Sequence, residues 1–518
     1  MAALSPGSAR GDGYAWGQAQ SHLAELGGRP LISANWEGRY RPYLFDGEAL
    51  APLLPQGPPA AADLDLFTPL ALSAHELLLA GTASGKPDYD VFLYDLTSKR
   101  LTNLTSTPTL DEGRLCLHPG SRLVAFRAGG KQRFARVADG LEPLAHEPVP
   151  GFRKCLFVDA KLLLGVEATR SGYTLHRCSV TESSVACAPS PAFSTLDHFV
   201  AFIRPAPAAA GVIARRRGDA FRRAWLLTPE ADALAAAPVA PVEADVLDFD
   251  GKAVRFGSES RYWSSLAPDF DGIVYRTRRV GDTYFAIVAT PQRARTLARL
   301  QPDGWELIQS AASTPAAAAN APREIWLSSE TGERYQAFQF GPANAERQVV
   351  WWHGGPHENV SPRFNPYFAA LNRMGISVLA VNYPGSTGRG VAYEGRFDAA
   401  SMRDCLSAVW RHLERGPVTT IVSWSISSGN AVQELVLAHG HAVSAIVDQA
   451  GRGRSRILEL AAERGVPVLT LRGRYDRSAP VARIDHAYAG GHDITLLQHF
   501  EEVMAAVAAF LGGLTPPE

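Results

Sequence analysis

The sequence predicts a chain of mixed β and α/β class in two parts, a β-propeller of six or seven blades followed by an α/β domain built on a mostly parallel sheet. Three observations predict it. From about residue 30 to 310, short apolar runs alternate with turn residues and almost no helical period is sustained. Strand-like segments near Tyr43, Phe92, Phe134, Leu175, Trp225 and Phe285 recur at intervals of 41 to 60 residues, close to the period of four-stranded blades. After residue 323, apolar strands alternate with helical segments, which points to a parallel sheet covered on both faces.

At 518 residues the chain exceeds one ordinary core. The expected division is an N-terminal segment 1–29, the propeller 30–310 and the α/β domain 323–518. Within the propeller, residues 115–126 and 265–275 share punctuation. Each carries an early proline, Pro119 or Pro268, and each leads to a second turn, at Gly129-Gly130 or Gly281-Asp282. The two prolines are expected in the same phase of their blades. A single blade cannot bury both faces, so neighbours must stack into a ring.

Residues 310–322, an alanine run between Pro315 and Pro322, read as the connector. A hairpin follows over 324–340, turning at Thr331-Gly332. Strands are then expected at 348–352, 376–381, 418–424, 443–447 and 468–471, with helices at 367–373, 398–413, 430–438 and 499–511.

Composition narrows the partners. Hydrophobic residues make up 46%, charged residues 20%, and the formal net charge is −1, so bulk charge gives no footprint for nucleic acid. Residues 1–13 lack an apolar signal core, and no stretch reaches the roughly 18 apolar residues of a membrane span, so a soluble, cytoplasmic protein without a membrane partner is expected. The five cysteines show no metal-type spacing, and buried free thiols are expected. Neither a metal nor a cofactor is called for, and oligomeric state stays open.

Four segments carry chemistry. Ser423-Trp424-Ser425-Ile426-Ser427-Ser428 follows an apolar strand, and Arg472-Gly473-Arg474-Tyr475-Asp476 follows another. Gly490-Gly491-His492 precedes the last helix, and Trp351-Trp352-His353-Gly354-Gly355-Pro356 is a strand running into a glycine pair. Nucleophile, acid and base in that chain order belong to the α/β-hydrolase fold. A serine hydroxyl needs a neighbouring base and an exposed elbow, and Ser425 is the first candidate for that place. An elbow normally has glycine two positions before and after the nucleophile, where both residues here are serines. The alternative register Ser425-Ile426-Ser427-Ser428-Gly429 recovers one glycine and makes Ser427 the nucleophile. Asp476 would orient the imidazole of His492, and His486 competes for the base position.

The blade-like repeats, the Trp-His-Gly-Gly-Pro segment, the run Val381-Asn382-Tyr383-Pro384-Gly385-Ser386-Thr387-Gly388-Arg389-Gly390 and the ordered triad together resemble the prolyl oligopeptidase family, in particular its acylaminoacyl-peptidase-like branch. The resemblance covers nearly the whole chain. It implies a serine peptidase whose propeller caps the catalytic domain and admits short peptides or peptide-like molecules. It implies oxyanion donors at Gly355 and Ile426, a loop-fixing part for His353, and Arg389 in the place of a family tyrosine, pointing into the interdomain space to bind substrate. It also suggests that residues 16–26, read as a short helix, fold back on the hydrolase domain. The chain is a divergent member by these motifs: only 51 positions separate Ser425 from Asp476 and 16 separate Asp476 from His492. Two function classes follow, a serine hydrolase working on an amide or ester through an acyl-enzyme, and a catalytically impaired pseudoenzyme kept as a binding or scaffolding module.

Overall fold

Apolar runs such as Leu77-Leu78-Leu79-Ala80 set the architecture of the first half. Leu77 and Leu79 pack toward the preceding sheet and Leu78 and Ala80 toward the following one, so both faces of the strand are buried between neighbours. The computed structural model describes residues 21–514 apart from 35–39, 55–63, 84–88, 108–112, 170–171, 191–195, 207–208, 229–232, 237–242, 309–320, 452–455, 475, 477–482 and 489–498. The connector and His492, with its two glycines, therefore lie outside the described residues, as does much of the expected N-terminal helix. Ser21–Leu26, the end of that helix, is instead the first strand of the first blade.

Seven small antiparallel sheets form the propeller, settling the blade number at the upper of the two expected values. The fourth and fifth blades are joined edge to edge through the Tyr173↔Leu196 pair, and the sixth has three strands among the described residues. Apolar clusters fill the spaces between blades. One of them brings Leu23, Ile32 and Tyr43 of the first blade against Val280, Phe285 and Leu297 of the last. Among the described residues, each of these two blades is built from its own contiguous stretch of chain, with no strand exchanged between them.

Two expectations are corrected here. Pro119 lies between the first and second strands of the third blade, whereas Pro268 lies in the connection from the sixth blade to the seventh. The two stretches are one strand out of phase, because both are simply proline-opened turns ahead of a buried strand. The cysteines are not free thiols either. Cys178 and Cys187 are direct cross-strand partners joined by a disulfide, and a second disulfide joins Cys116, on the first strand of the third blade, to Cys155, on the first strand of the fourth. Among the described residues only Cys405 is free, buried in the second domain. Disulfides persist in oxidising compartments and are rare in reducing ones. No helix among the described residues is long and apolar enough to cross a membrane.

The second domain is an eight-stranded sheet. Its strands are β1 (Arg323–Ser328), β2 (Arg334–Phe340), β3 (Arg347–Trp352), β4 (Ser377–Val381), β5 (Thr420–Ile426), β6 (Ala445–Gln449), β7 (Val468–Gly473) and β8 (His486–Tyr488), in the order β1-β2-β4-β3-β5-β6-β7-β8. All pairs from β4 through β8 are parallel, and β1 and β2 form the expected antiparallel hairpin. Alternation divides the faces: Val349 and Trp351 join one core with Tyr367, Phe368 and Val503, while Val350 and Trp352 join the other with Cys405, Leu406 and Val432. The helices are α1 (Pro366–Arg373), α2 (Val391–Glu394), α3 (Ala399–Glu414), α4 (Asn430–Ala438), α5 (Ile457–Glu463) and α6 (Phe500–Gly512). Asp398 caps α3 by accepting from the amides of Ala400 and Ser401.

The propeller meets this domain through connections between the second and third strands of its later blades. Glu259 N–H donates to Gly388 O at 2.6 Å, Phe364 N–H to Thr290 O at 2.9 Å, and Ser260 exchanges hydrogen bonds with Gln336 and Asn382.

Candidate active site

Strand β5 ends in a turn with unusual backbone. Ser427, the next residue, has φ +54°, a left-handed conformation that a serine adopts at local cost, and it opens the single 3-10 turn Ser427–Gly429 that leads into α4. A strand, a strained serine and a helix in succession have the backbone form of a strand–turn–helix elbow. Gly429, two residues on, is required by space: a Cβ there would stand 2.5 Å from Trp352 O and 2.7 Å from His353 O. Gly429→Ala is therefore expected to cost about 1 to 3 kcal/mol through overpacking. A melting curve would register that cost, and slower reaction with an active-site probe should accompany it.

Ser425 occupies a different place. It lies within β5, paired with Trp352 and Asp448, and has no accessible surface. Its Oγ donates to Gln433 Oε1 at 2.8 Å, and Asp448 Oδ1 stands 3.4 Å away. Gln433 in turn donates to Ser423 O and Val447 O. In the Ser427 register, Ser425 fills the position two residues before the nucleophile. The serine is tolerated where glycine is usual because its hydroxyl has these polar partners under the turn.

Asp448 itself is unusual. Burial pushes its carboxyl up to about 6, against the opposing hydrogen bond from Ser425 and the charge of Arg472. A raised folded-state value favours the protonated form. The associated stability is fully present below about pH 4 and is lost as pH rises through about 6. Asp448→Asn should flatten this part of the pH–stability curve, measured as the difference between variant and wild type from pH 4 to pH 7.

The glycine loop comes to Ser427. A Cβ on Gly354 would lie 3.3 Å from Ser427 Cβ, and Gly355 has φ +119° with a cis bond to Pro356. His353 holds this loop from beneath. Its Nδ1 is 2.7 Å from Gly354 O, its Nε2 2.8 Å from Ser386 Oγ, and its ring stacks on Tyr383 at 4.3 Å. Burial pushes His353 down to about 4, so it stays neutral near pH 7. Ile426 ends β5 and lines the same cavity as Ser427, Gly354 and Gly355. This cavity, of about 740 Å³, lies between the domains and is walled on the propeller side by Tyr40 and Arg295. Its size suits a small peptide-like ligand.

Asp476 follows β7, with its carboxylate nearly inaccessible and 3.5 Å from Arg472 Nε. Arg472 Nη1 also donates to Gly451 O. His486 is exposed on edge strand β8, stacked against Tyr488, and does not line the Ser427 cavity. Arg389 does not reach that cavity either. Its guanidinium sits 4.0 Å over the Tyr393 ring and 5.2 Å over Trp326, and donates to Arg334 O. The cationic residues that do line it are Arg295 and Arg363, which sequence reasoning missed because nothing in their local sequence marks them.

No protein-family model matches the sequence, and no curated protein matches it. Solved structures do. A Mycobacterium tuberculosis puromycin-hydrolyzing peptidase is 16% identical with a TM-score of 0.72, the match covering 99% of this chain and 97% of that one. The Pyrococcus horikoshii acylaminoacyl peptidase is 10% identical, with 96% of each chain covered and a TM-score of 0.69. A structure described as a prolyl endopeptidase is 11% identical with a TM-score of 0.72, over 97% of this chain and 90% of the other. Over nearly its whole length, this chain has the propeller-capped α/β-hydrolase fold of prolyl oligopeptidase-type structures.

Proposed function

We propose that the protein is a serine hydrolase of the prolyl oligopeptidase type that cleaves or transfers an acyl group at an amide or ester bond of a short peptide-like molecule, with Ser427 as nucleophile. The observation that carries this reading is the left-handed backbone of Ser427 at the end of β5, with the Gly354-Gly355 loop packed against its Cβ and a cavity in front of it. In this reading His492 takes the Ser427 proton as the hydroxyl attacks the carbonyl carbon, and Asp476 orients the imidazole and stabilises its charged form. The oxyanion would accept from Gly355 N–H and from the amide after the nucleophile, which is Ser428 once the elbow is read at Ser427. Collapse of the tetrahedral adduct passes the proton from His492 to the leaving group, and water or another nucleophile then releases the acyl-enzyme. Covalent labelling with a neutral fluorophosphonate, followed by peptide mapping, tests it. The label is expected on Ser427. A label on Ser425 would refute the register, and a chain that reacts nowhere in this segment would point to a binding module instead.

A further inference from the structure

We propose that the cavity in front of Ser427 recognises a carboxylate on the substrate through Arg295 and Arg363. The two arginines come from different domains. Arg295 lies in the turn between strands Thr283–Ala289 and Thr296–Gln301 of the last blade, and Arg363 in the segment between β3 and α1. Both line the Ser427 cavity, and both are gathered around one tyrosine. Arg363 Nη1 donates to Tyr275 Oη at 2.7 Å, while the Arg295 guanidinium lies 4.3 Å over the Tyr275 ring.

What holds them is a phenol and a π face, and neither forms an ion pair among the described residues. Glu358, also in the cavity wall, acts on Arg363 through its charge, the smallest of the influences on that guanidinium. Two guanidiniums thus share a partly buried space with one carboxylate in the wall. Burial first, and the charge of neighbouring Arg363 next, lower the pKa of Arg295, whereas the Tyr275 oxygen beside Arg363 holds that guanidinium's pKa up. A ligand carboxylate would relieve that repulsion, and it matches the forked donor geometry of guanidinium groups. The carboxylate could belong to the C-terminus of a short peptide or to an acidic side chain. The chemistry is the same for either source.

This inference rests on the proposed function only for the position of the reacting bond, and its test is kept separate. The probes are acetyl-trialanine with a free carboxylate, acetyl-trialanine amide, and acetyl-Asp-Ala-Ala amide, titrated calorimetrically into the full-length protein at low salt. At least one of the two carboxylate-bearing peptides should bind about tenfold or more tightly than the trialanine amide, as expected for a charge-assisted contact, and the preferred one identifies the source. The preference should disappear in Arg295→Met, which loses contacts to the Tyr275 ring and hydroxyl and the charge facing Tyr40. Equal binding of all three probes, binding of none, or a preference that survives in both Arg295→Met and Arg363→Met would overturn the inference. Loss of fluorophosphonate labelling with the charge preference intact would sink the hydrolase reading alone.

Discussion

Ser427→Ala abolishes turnover and probe labelling, and the expected loss in kcat is roughly 10⁵ to 10⁶-fold, the scale seen when a serine hydrolase loses its nucleophile. The fold should be unaffected, because alanine keeps the Cβ that packs against Gly354 and removes one oxygen at the cavity wall. Ser425→Ala is the matched control. It deletes a buried hydroxyl bonded to Gln433, so it should cost about 1 to 3 kcal/mol of stability while labelling of Ser427 persists. The opposite pattern, with labelling lost in Ser425→Ala and kept in Ser427→Ala, would return the nucleophile to the strand.

Glu394→Ala is expected to loosen the two domains. Glu394, at the end of α2, faces Arg215 at 2.9 Å and Arg222 at 3.6 Å, both from the fifth blade, and all three side chains are less than a tenth exposed. Arg222 also reaches Asp245 at 3.3 Å and lies 3.3 Å from His198, which burial and the Arg222 charge push down to about 3. A neutral His198 cannot compensate a lost carboxylate. Removing Glu394 leaves Arg222 facing Asp245 alone and deprives Arg215 of its carboxylate across the interface, and breaking such a buried arrangement costs about 3 to 5 kcal/mol. Separate unfolding of propeller and hydrolase in a calorimetric scan, where the wild type unfolds as one unit, would report it. Glu394→Gln should fall between the two. A loss below about 1 kcal/mol would mean that the cluster is solvated and contributes little.

The order of strands and helices in the second domain was readable because apolar strands of five to seven residues alternate with amphipathic helical segments; α4 falls at Asn430–Ala438 as expected. Short elements were not readable. α5, at seven residues, and β8, at three, are too short to sustain a period that could announce them. In the site, the loop at His353-Gly354-Gly355 was legible from its glycines. The register of the elbow was not, because Trp424-Ser425 looks like the usual approach to a nucleophile. What favours the proposed Ser427 register is the extra turn-side glycine, Gly429, together with pairing of β5 that continues through Ile426. Arg389 was assigned by position in a motif, and position in a motif cannot show that Tyr393 and Trp326 stand close enough to hold its guanidinium. The paired cysteines were hidden for a related reason: Cys116 and Cys155 meet only because blades stack, a contact across 39 positions that no local pattern encodes.

The propeller's ring has one joint unlike the rest. The chain itself crosses from each blade to the next, and at the third-to-fourth joint a disulfide crosses as well. Between the last blade and the first, the described contacts are apolar side chains such as Phe45 and Phe285, which meet edge to edge at 5.8 Å, together with the charge of Arg295 acting on Tyr40. Tyr40 stands on one side of that joint and Arg295 on the other, and both belong to the wall in front of Ser427. The wall facing the arginine pair is thus assembled from both sides of the seam, so the relative placing of the first and last blades sets the spacing between Tyr40 and Arg295.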